Sequence, residues 1–393
     1  MGKKFLIGQL ARFGDCLYAT TLAKQIKYDY PDSHITWAIA ENYKSILELN
    51  PYIDRIWAIP LAGEDYAQAG WDKFETEALE RQANGEFDEV IFSQIPPRNW
   101  IRFDGTIRRA ILNSYEKPIT VSVEPVIQLS EAEVNRVKSY AEKNKLADFK
   151  NVVLFECAPG SGQSNVNIDF ALRVARTIVE KNKDVSFILS TNQKSDFASP
   201  QIIDASELTF RENAELTKYC TFLIGCSSGI TWISTSDWAK KLPMLQLLNE
   251  DLIIYAGIHF DFELNNLDFS QVIEMTNFDE SKVVDCVESI LSTGIEKNKP
   301  KFHQNYKPTY HNLSELSKAI RAEERSFKEV LDFIKNYVAT NRKVGNRISL
   351  KYLFLIAYSY YHCNIRASKE GFFFQIRKFF KFIICKKSHS LPE

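Results

Sequence analysis

The chain has 393 residues, more than one hydrophobic core usually serves, so two domains and an extension are expected. Apolar residues make up 45% and charged residues 25%, ordinary globular proportions that exclude wholesale disorder and collagen-like repeats. Lysine and arginine number 49 against 50 acidic residues, and a net charge of −1 excludes a molecule-wide electrostatic nucleic-acid binder.

The opening predicts strand, glycine turn and helix. Phe5-Leu6-Ile7 is a short apolar run suited to a buried parallel strand, and Gly8 and Gly14 punctuate the turn after it. Cys16, Ala19, Ala23 and Ile26 then recur at helical spacing until Pro31-Asp32 ends the pattern. His34–Ile39, Arg55–Ile59 and Glu89–Phe92 predict three further strands, with a helix near 41–48. After Pro96-Pro97 the pattern restarts: a helix near 130–145, a strand at Asn151–Phe155, a glycine-rich turn at Ala158–Gly162, a helix over 167–182 and a strand at Val185–Leu189. Thr221–Ile224 and Met244–Leu248 are the next strands, and Val283, Val287, Ile290 and Leu291 share one face of a helix over 279–292. Strands alternating with helices imply parallel sheets, here two α/β units in succession. Ligands bind such sheets beyond the carboxyl ends of their strands, so the cleft between the units is the expected site.

Beyond residue 298 the character changes to lysine- and proline-punctuated sequence, with helices expected near 312–341 and 348–362. The aromatic stretch Tyr352–Tyr361 predicts helix packing rather than a ligand box. Near the end, Phe372, Ile376, Phe379, Phe380 and Ile383 share one helical face opposite Arg377, Lys378 and Lys381, with Lys386 and Lys387 just beyond. That separation has the form of an interfacial helix, and it predicts contact with a membrane surface through 372–387.

Seven cysteines without a Cys-x-x-Cys pair predict reduced thiols of a cytoplasmic protein. Six histidines without metal spacing predict no metal site, and no cofactor is expected. The apolar run after Lys4 breaks at Gln9, too short for a signal peptide, and no stretch of about 20 apolar residues exists to span a bilayer.

Three strand-to-helix loops could carry chemistry. Asp15, after Arg12 and Gly14, stands where a helix N-cap would stand; the same carboxylate, held ionised by the helix dipole, could act as a general base. Arg12 could be a solvated side chain, or with Gly14 it could bind the acceptor or clamp an anion. Ser161, Gly162, Gln163 and Ser164 form a turn whose amides and hydroxyls could cradle a phosphate. Ser227, Ser228, Gly229, Ile230 and Thr231 follow a predicted strand and could supply a diphosphate with donors, or simply cap the next helix.

Phe5–Asp15, Tyr30-Pro31-Asp32 and Leu47–Ile56, with its Asn-Pro-x-Ile-Asp run, together resemble the heptosyltransferase-type glycosyltransferases (glycosyltransferase family 9). Asn151–Ser164 and Leu208–Gly229 resemble the second half of that family more loosely, so the likeness spans about residues 1–292. It implies a GT-B fold: an acceptor lobe over 1–128, a nucleotide-sugar lobe over 129–298 and a helical extension over 299–393. It also implies inverting, metal-independent sugar transfer, with Asp15 on the family's proposed catalytic base. The implied partners are a nucleotide-sugar donor, ADP-heptose among the candidates, and a glycan or glycolipid acceptor such as a lipopolysaccharide core. The implied location is the cytoplasm, peripheral on the inner face of the membrane. Three positions depart from the family pattern: Ser227 replaces an aspartate, Trp232 a histidine and Gln163 a phosphate-meeting lysine. They imply a different donor, or an inactive relative that binds a nucleotide or glycan and scaffolds an assembly complex.

Overall fold

In a computed structural model of the chain the described residues are 2–61, 68–97, 99–191, 194–195, 199–250, 257–304, 317, 320, 326–343 and 351–362. The amphipathic stretch 372–387 lies outside them.

The first half holds β1 (Lys4–Gly8), α1 (Phe13–Asp29), β2 (His34–Ala40), β3 (Arg55–Ile59), α2 (Gln68–Ala83), β4 (Glu89–Phe92) and α3 (Ile107–Leu112). Its four strands are all parallel, in the order β3-β2-β1-β4. Strand alternation explains why β1 is apolar throughout. Phe5 and Ile7 enter a cluster with Leu17, Leu22 and Trp37, whereas Leu6 points the other way to Trp71 and Phe74. A Cβ on Gly8 would lie 2.8 Å from the Phe74 ring, so glycine there lets α2 lie close to the sheet. The expected helix near 41–48 is a 3₁₀ helix over Glu41–Leu47.

The second half holds α4 (Glu131–Lys143), β5 (Asn151–Glu156), α5 (Ile168–Lys181), β6 (Val185–Ser190), β7 (Ile202–Asp204), α6 (Glu212–Leu216), β8 (Phe222–Gly225), α7 (Gly229–Ile233), β9 (Met244–Leu247), α8 (Ile258–Leu264), β10 (Val272–Met275), α9 (Glu280–Thr293) and α10 (Ile295–Phe302). The six strands run in the order β10-β9-β8-β5-β6-β7, all parallel. Counted within the sheet this is 3-2-1-4-5-6, the doubly wound order whose direction switches between its first and fourth strands, here β5 and β8. Asn167 and Asp279 cap α5 and α9 by accepting from the amides of Phe170 and Lys282. Both helices cover the sheet face carrying Val153, Phe155 and Phe187.

α11 (Phe327–Lys343) buries Val330, Phe333, Ile334 and Tyr337 and reaches the first half, where Tyr337 meets Phe103 with ring centroids 6.2 Å apart. α12 (Lys351–Tyr360) buries Leu355, Ile356 and Ser359. The helix packing expected of this aromatic stretch therefore holds for one face, while Leu353, Phe354 and Tyr358 are exposed. The largest apolar cluster is continuous from Phe5 through Trp232 to Leu154 and Ile334, so both sheets and α11 share one core. The fold is α/β, with two Rossmann-like sheets facing a cleft and helices beyond them, the GT-B arrangement.

Candidate functional site

On the first-sheet side, the chain leaves β1 and turns at Arg12, whose φ of 72° lies in the left-handed region that side chains seldom adopt. Arg12 is therefore the residue preceding α1, and Asp15 is the third residue inside the helix rather than its cap. Its carboxyl opens partly onto the cleft and accepts no hydrogen bond from any described residue. Burial raises it to about 7, against the pull of the Arg12 guanidinium. Burial thus works against the ionised state that the helix dipole is expected to hold. A Cβ on Gly14 would come 3.2 Å from Trp232 Cδ1, so glycine lets α1 pack directly on the indole.

Beneath these residues lies a buried cross-sheet pair. Arg108 donates from Nε to Asp261 Oδ2 at 2.9 Å, and its guanidinium sits 4.7 Å from the Tyr18 ring centroid. Trp232 packs edge-on against Tyr18 at 4.7 Å. The residue standing at the family's histidine is thus part of the packing between α1 and α7.

On the second-sheet side, loops leave the ends of β5 and β8, the switch point of the sheet. Glu156, the last residue of β5, accepts from the Cys226 amide at 2.8 Å, the Thr231 hydroxyl at 2.7 Å and the Ile230 amide at 3.0 Å. Burial pushes its carboxyl up despite those bonds. The Ile230 amide and Thr231 hydroxyl, expected to meet a diphosphate, are committed to Glu156 instead. A wholly buried carboxylate beside a short helix takes the nearest donors because nothing else can solvate it. The two loops are tied together where the Gly160 amide donates to Ser228 Oγ at 3.0 Å and Gln163 Nε2 to Ser227 Oγ at 3.4 Å. Ser227 has φ 49° and donates its amide to Gln246 Oε1 at 2.9 Å.

Between the two sides lies a cavity of about 670 Å³. Arg12, Gly14, Asp15, Ser161, Gln163, Ser227, Ser228, Gly229 and Ile230 all line it, so residues far apart in the sequence converge there. Gly162, Ser164 and Thr231 do not line it: Gly162 is an exposed turn residue at φ 72°, Ser164 accepts the Val166 amide, and Thr231 is buried on Glu156. Among the described lining residues Arg12 is the one cation, against the carboxyls of Asp15, Glu156 and Asp261. Phe13 stacks on Phe210 at 4.3 Å across the cleft, and Tyr43 meets Phe13 edge-on at 4.7 Å. A Cβ on Gly229 would lie 2.9 Å from the Phe210 ring, so a side chain there would act on this stack and not on a phosphate directly.

Glu156, Asp261, Arg108 and Phe210 were not singled out by the sequence. For Glu156 a signal existed, an acidic residue ending an apolar strand just before a glycine-rich turn. Arg108 and Asp261 stand far apart in the chain, and no local pattern joins them. The described cysteines 16, 157, 220, 226 and 286 are free and buried. No group of metal-ligating side chains is found among the described residues.

No protein-family profile matches the chain, and no curated protein sequence matches it. Among solved structures, it is similar to a glycosyl transferase family 9 protein from Veillonella parvula, with 16% identity and a TM-score of 0.50 over 84% of this chain and 98% of that one. It is also similar to E. coli ADP-heptose lps heptosyltransferase II, with 13% identity and a TM-score of 0.50 over 74% of this chain and 98% of that one. The likeness is one of fold, and it is the fold that the N-terminal motif implies.

Proposed function

We propose that the chain is a glycosyltransferase that moves a sugar from a nucleotide-sugar donor to a glycan or glycolipid acceptor by a single inverting displacement. The observation that carries this reading is the pairing of Asp15, a carboxyl titrating near neutrality without a hydrogen-bond partner among the described residues, with a hydroxyl- and amide-rich switch-point loop across one cavity. Asp15 takes the proton of the acceptor hydroxyl as its oxygen attacks the anomeric carbon, and the nucleoside diphosphate leaves on the opposite side. Ser161, Gln163, Ser227, Ser228 and Gly229 hold the diphosphate without a metal, with Arg12 reaching it from the first-sheet side. Glu156, through Ile230 and Thr231, sets the shape of that loop. In this reading 1–128 binds acceptor, 129–298 binds donor and 299–393 is the extension. The donor's sugar is heptose or a related sugar. Nothing in the geometry favours a catalytically silent relative, since Asp15 faces an open cavity.

Thermal shift of the full chain against ADP, UDP and GDP tests the donor half. A bound nucleotide at about one hundred times its Kd stabilises by about 2.7 kcal/mol, and that gain is expected for one base over the others. Gly229→Ala should remove most of the shift by pushing Phe210 off Phe13. Absence of a shift with every nucleotide sinks the reading.

No helix among the described residues is long and apolar enough to cross a membrane. We place the protein in the cytoplasm, touching the inner membrane face through the basic stripe of 372–387. The exposed Leu353, Phe354, Tyr358 and Tyr361 just upstream support this, because aromatic side chains suit the bilayer interface. Deleting 366–393 should abolish co-sedimentation with phosphatidylserine vesicles while the melting temperature stays within a few degrees. Equal co-sedimentation of the two proteins, or unfolding on truncation, refutes the membrane contact.

A further inference from the structure

We infer that the cavity takes an uncharged, hydroxyl-rich glycan as its second ligand and discriminates against acceptors bearing a carboxylate or phosphate. This rests on the glycosyl-transfer reading and narrows it to an acceptor class.

The reason is the distribution of charge and of hydrogen-bonding capacity around the cavity. Three carboxyls line it from three separate elements, Asp15 in α1, Glu156 at the end of β5 and Asp261 in α8. Two of them are already partnered, Glu156 by the loop donors of residues 226–231 and Asp261 by Arg108. Asp15 has no such partner among the described residues, and it faces the space left between the sheets. An unpartnered carboxyl in a desolvated cavity is complementary to a hydrogen-bond donor, and a sugar hydroxyl is one. The single cation lining the cavity among the described residues, Arg12, is close in sequence to Asp15 and is the group best placed to balance a donor diphosphate. No second described cation lines the cavity to balance an anionic acceptor, which would stand against Asp15 in a low-dielectric site.

The aromatic and uncharged polar lining agrees. Phe13, stacked on Phe210 and met edge-on by Tyr43, lines the cavity with aromatic surface of the kind that the C–H side of a pyranose packs on. The uncharged polar side chains of Thr106, Ser190, Ser206 and Asn213, which also line the cavity, suit a neutral polyol better than an ion. Asp15 therefore serves twice, as proton acceptor and as the group that sets the charge of what it accepts from.

The test uses matched sugar pairs differing in charge: methyl glucoside against methyl glucuronide, lactose against sialyllactose, and glucose against a glucose phosphate. Saturation-transfer NMR on the full chain at constant ionic strength reads binding, with the preferred nucleotide from the melting screen held saturating. At least one uncharged member should bind, its charged partner roughly tenfold or more weaker, and Asp15→Asn should narrow that gap. A charged member binding as tightly as its neutral partner overturns the inference, and so does failure of every sugar to bind. The nucleotide shift is read on the same sample. A nucleotide that binds beside unselective sugars sinks the charge filter alone, whereas loss of nucleotide binding sinks the glycosyl-transfer reading.

Discussion

Asp15→Asn is expected to lower turnover by about 10²–10⁴ while leaving nucleotide affinity within a factor of about three, because the amide keeps the shape of the carboxyl and loses only its basicity. The pH profile carries the same information independently. With the carboxyl titrating near 7, kcat/KM of the wild-type chain should rise with pH and level off above that value; the variant's residual rate should not follow the curve. Stability should move the opposite way. The group titrates near 7 when folded and near 3.8 when free, so the native state binds its proton more tightly than the unfolded chain. The native advantage is full below 3.8 and is lost as pH rises through 7, which makes the ionised carboxylate a cost of at most about 4 kcal/mol at pH 8. Asp15→Asn should therefore raise the melting temperature at pH 8 and change it little at pH 4. A variant that keeps full activity, or a flat wild-type profile between pH 6 and 8, would reduce Asp15 to a first-turn residue of α1.

That opposition of activity and stability is what a proton acceptor raised by burial should show, and it could not be read from the sequence. What the sequence does carry is the strand–glycine–helix starts of both sheets. Continuous apolar runs such as Phe5–Ile7 and Asn151–Phe155 admit few other readings when glycine turns and helical spacing come after them. The elements that escaped are short or polar. β7 has three residues, and β10 carries Glu274, a carboxylate in the middle of a four-residue strand. Glu274 is tolerated there because the amide of His259 donates to it at 3.0 Å, a partner 15 residues away. Among its described side chains α2 buries Trp71, Phe74 and Ala78 along a mostly charged surface, a spacing that fits a helix but is easily lost among its polar residues.

The site divides in the same way. Asp15 and the loop at 227–229 stand next to recognisable glycine turns, so their neighbourhood is local and legible. Their protonation and their partners are not. The shift of Asp15 comes from burial where α1 packs on α7 and its Trp232, and the donors of Ile230 and Thr231 are spent on Glu156, a residue more than 70 positions earlier. Motifs place side chains at the ends of strands; only the packing of the second sheet on the first decides which of them remain available to a ligand.

Arg211 helps to hold that packing, and its removal should be a large structural perturbation outside the cavity. Arg211 is buried and makes five hydrogen bonds: to both oxygens of Glu133 at 2.7 and 3.1 Å, and to the carbonyls of Ser45, Glu48 and Gln128 at 2.8, 2.7 and 2.6 Å. These partners lie in the first half, in the stretch joining the halves and in α4, while Arg211 itself adjoins Phe210 of the aromatic stack. Glu133 also accepts from Ser130 as part of the capping box of α4. Although burial alone would raise the Glu133 carboxyl, Arg211 and Ser130 bring it down to about 2. Arg211→Leu leaves that carboxylate and three carbonyls without their cation, and removal of one partner from such a buried pair costs about 3–5 kcal/mol. At roughly 2 °C per kcal/mol for a chain of this size the melting temperature should fall by about 6–10 °C at pH 7. The sign of the pH dependence comes from the depressed carboxyl. Its contribution is complete above about 4.5 and is lost as pH falls toward 2, so wild type and variant should converge in acid. Glu133→Gln with Arg211→Leu should lose less than the sum of the single changes, since both remove the same contact. Because Phe210 precedes Arg211 directly, the surviving folded fraction should also bind nucleotide more weakly. A variant within about 1 kcal/mol of wild type at pH 7, or losses that simply add, would mean that the shared core alone holds the two halves in register.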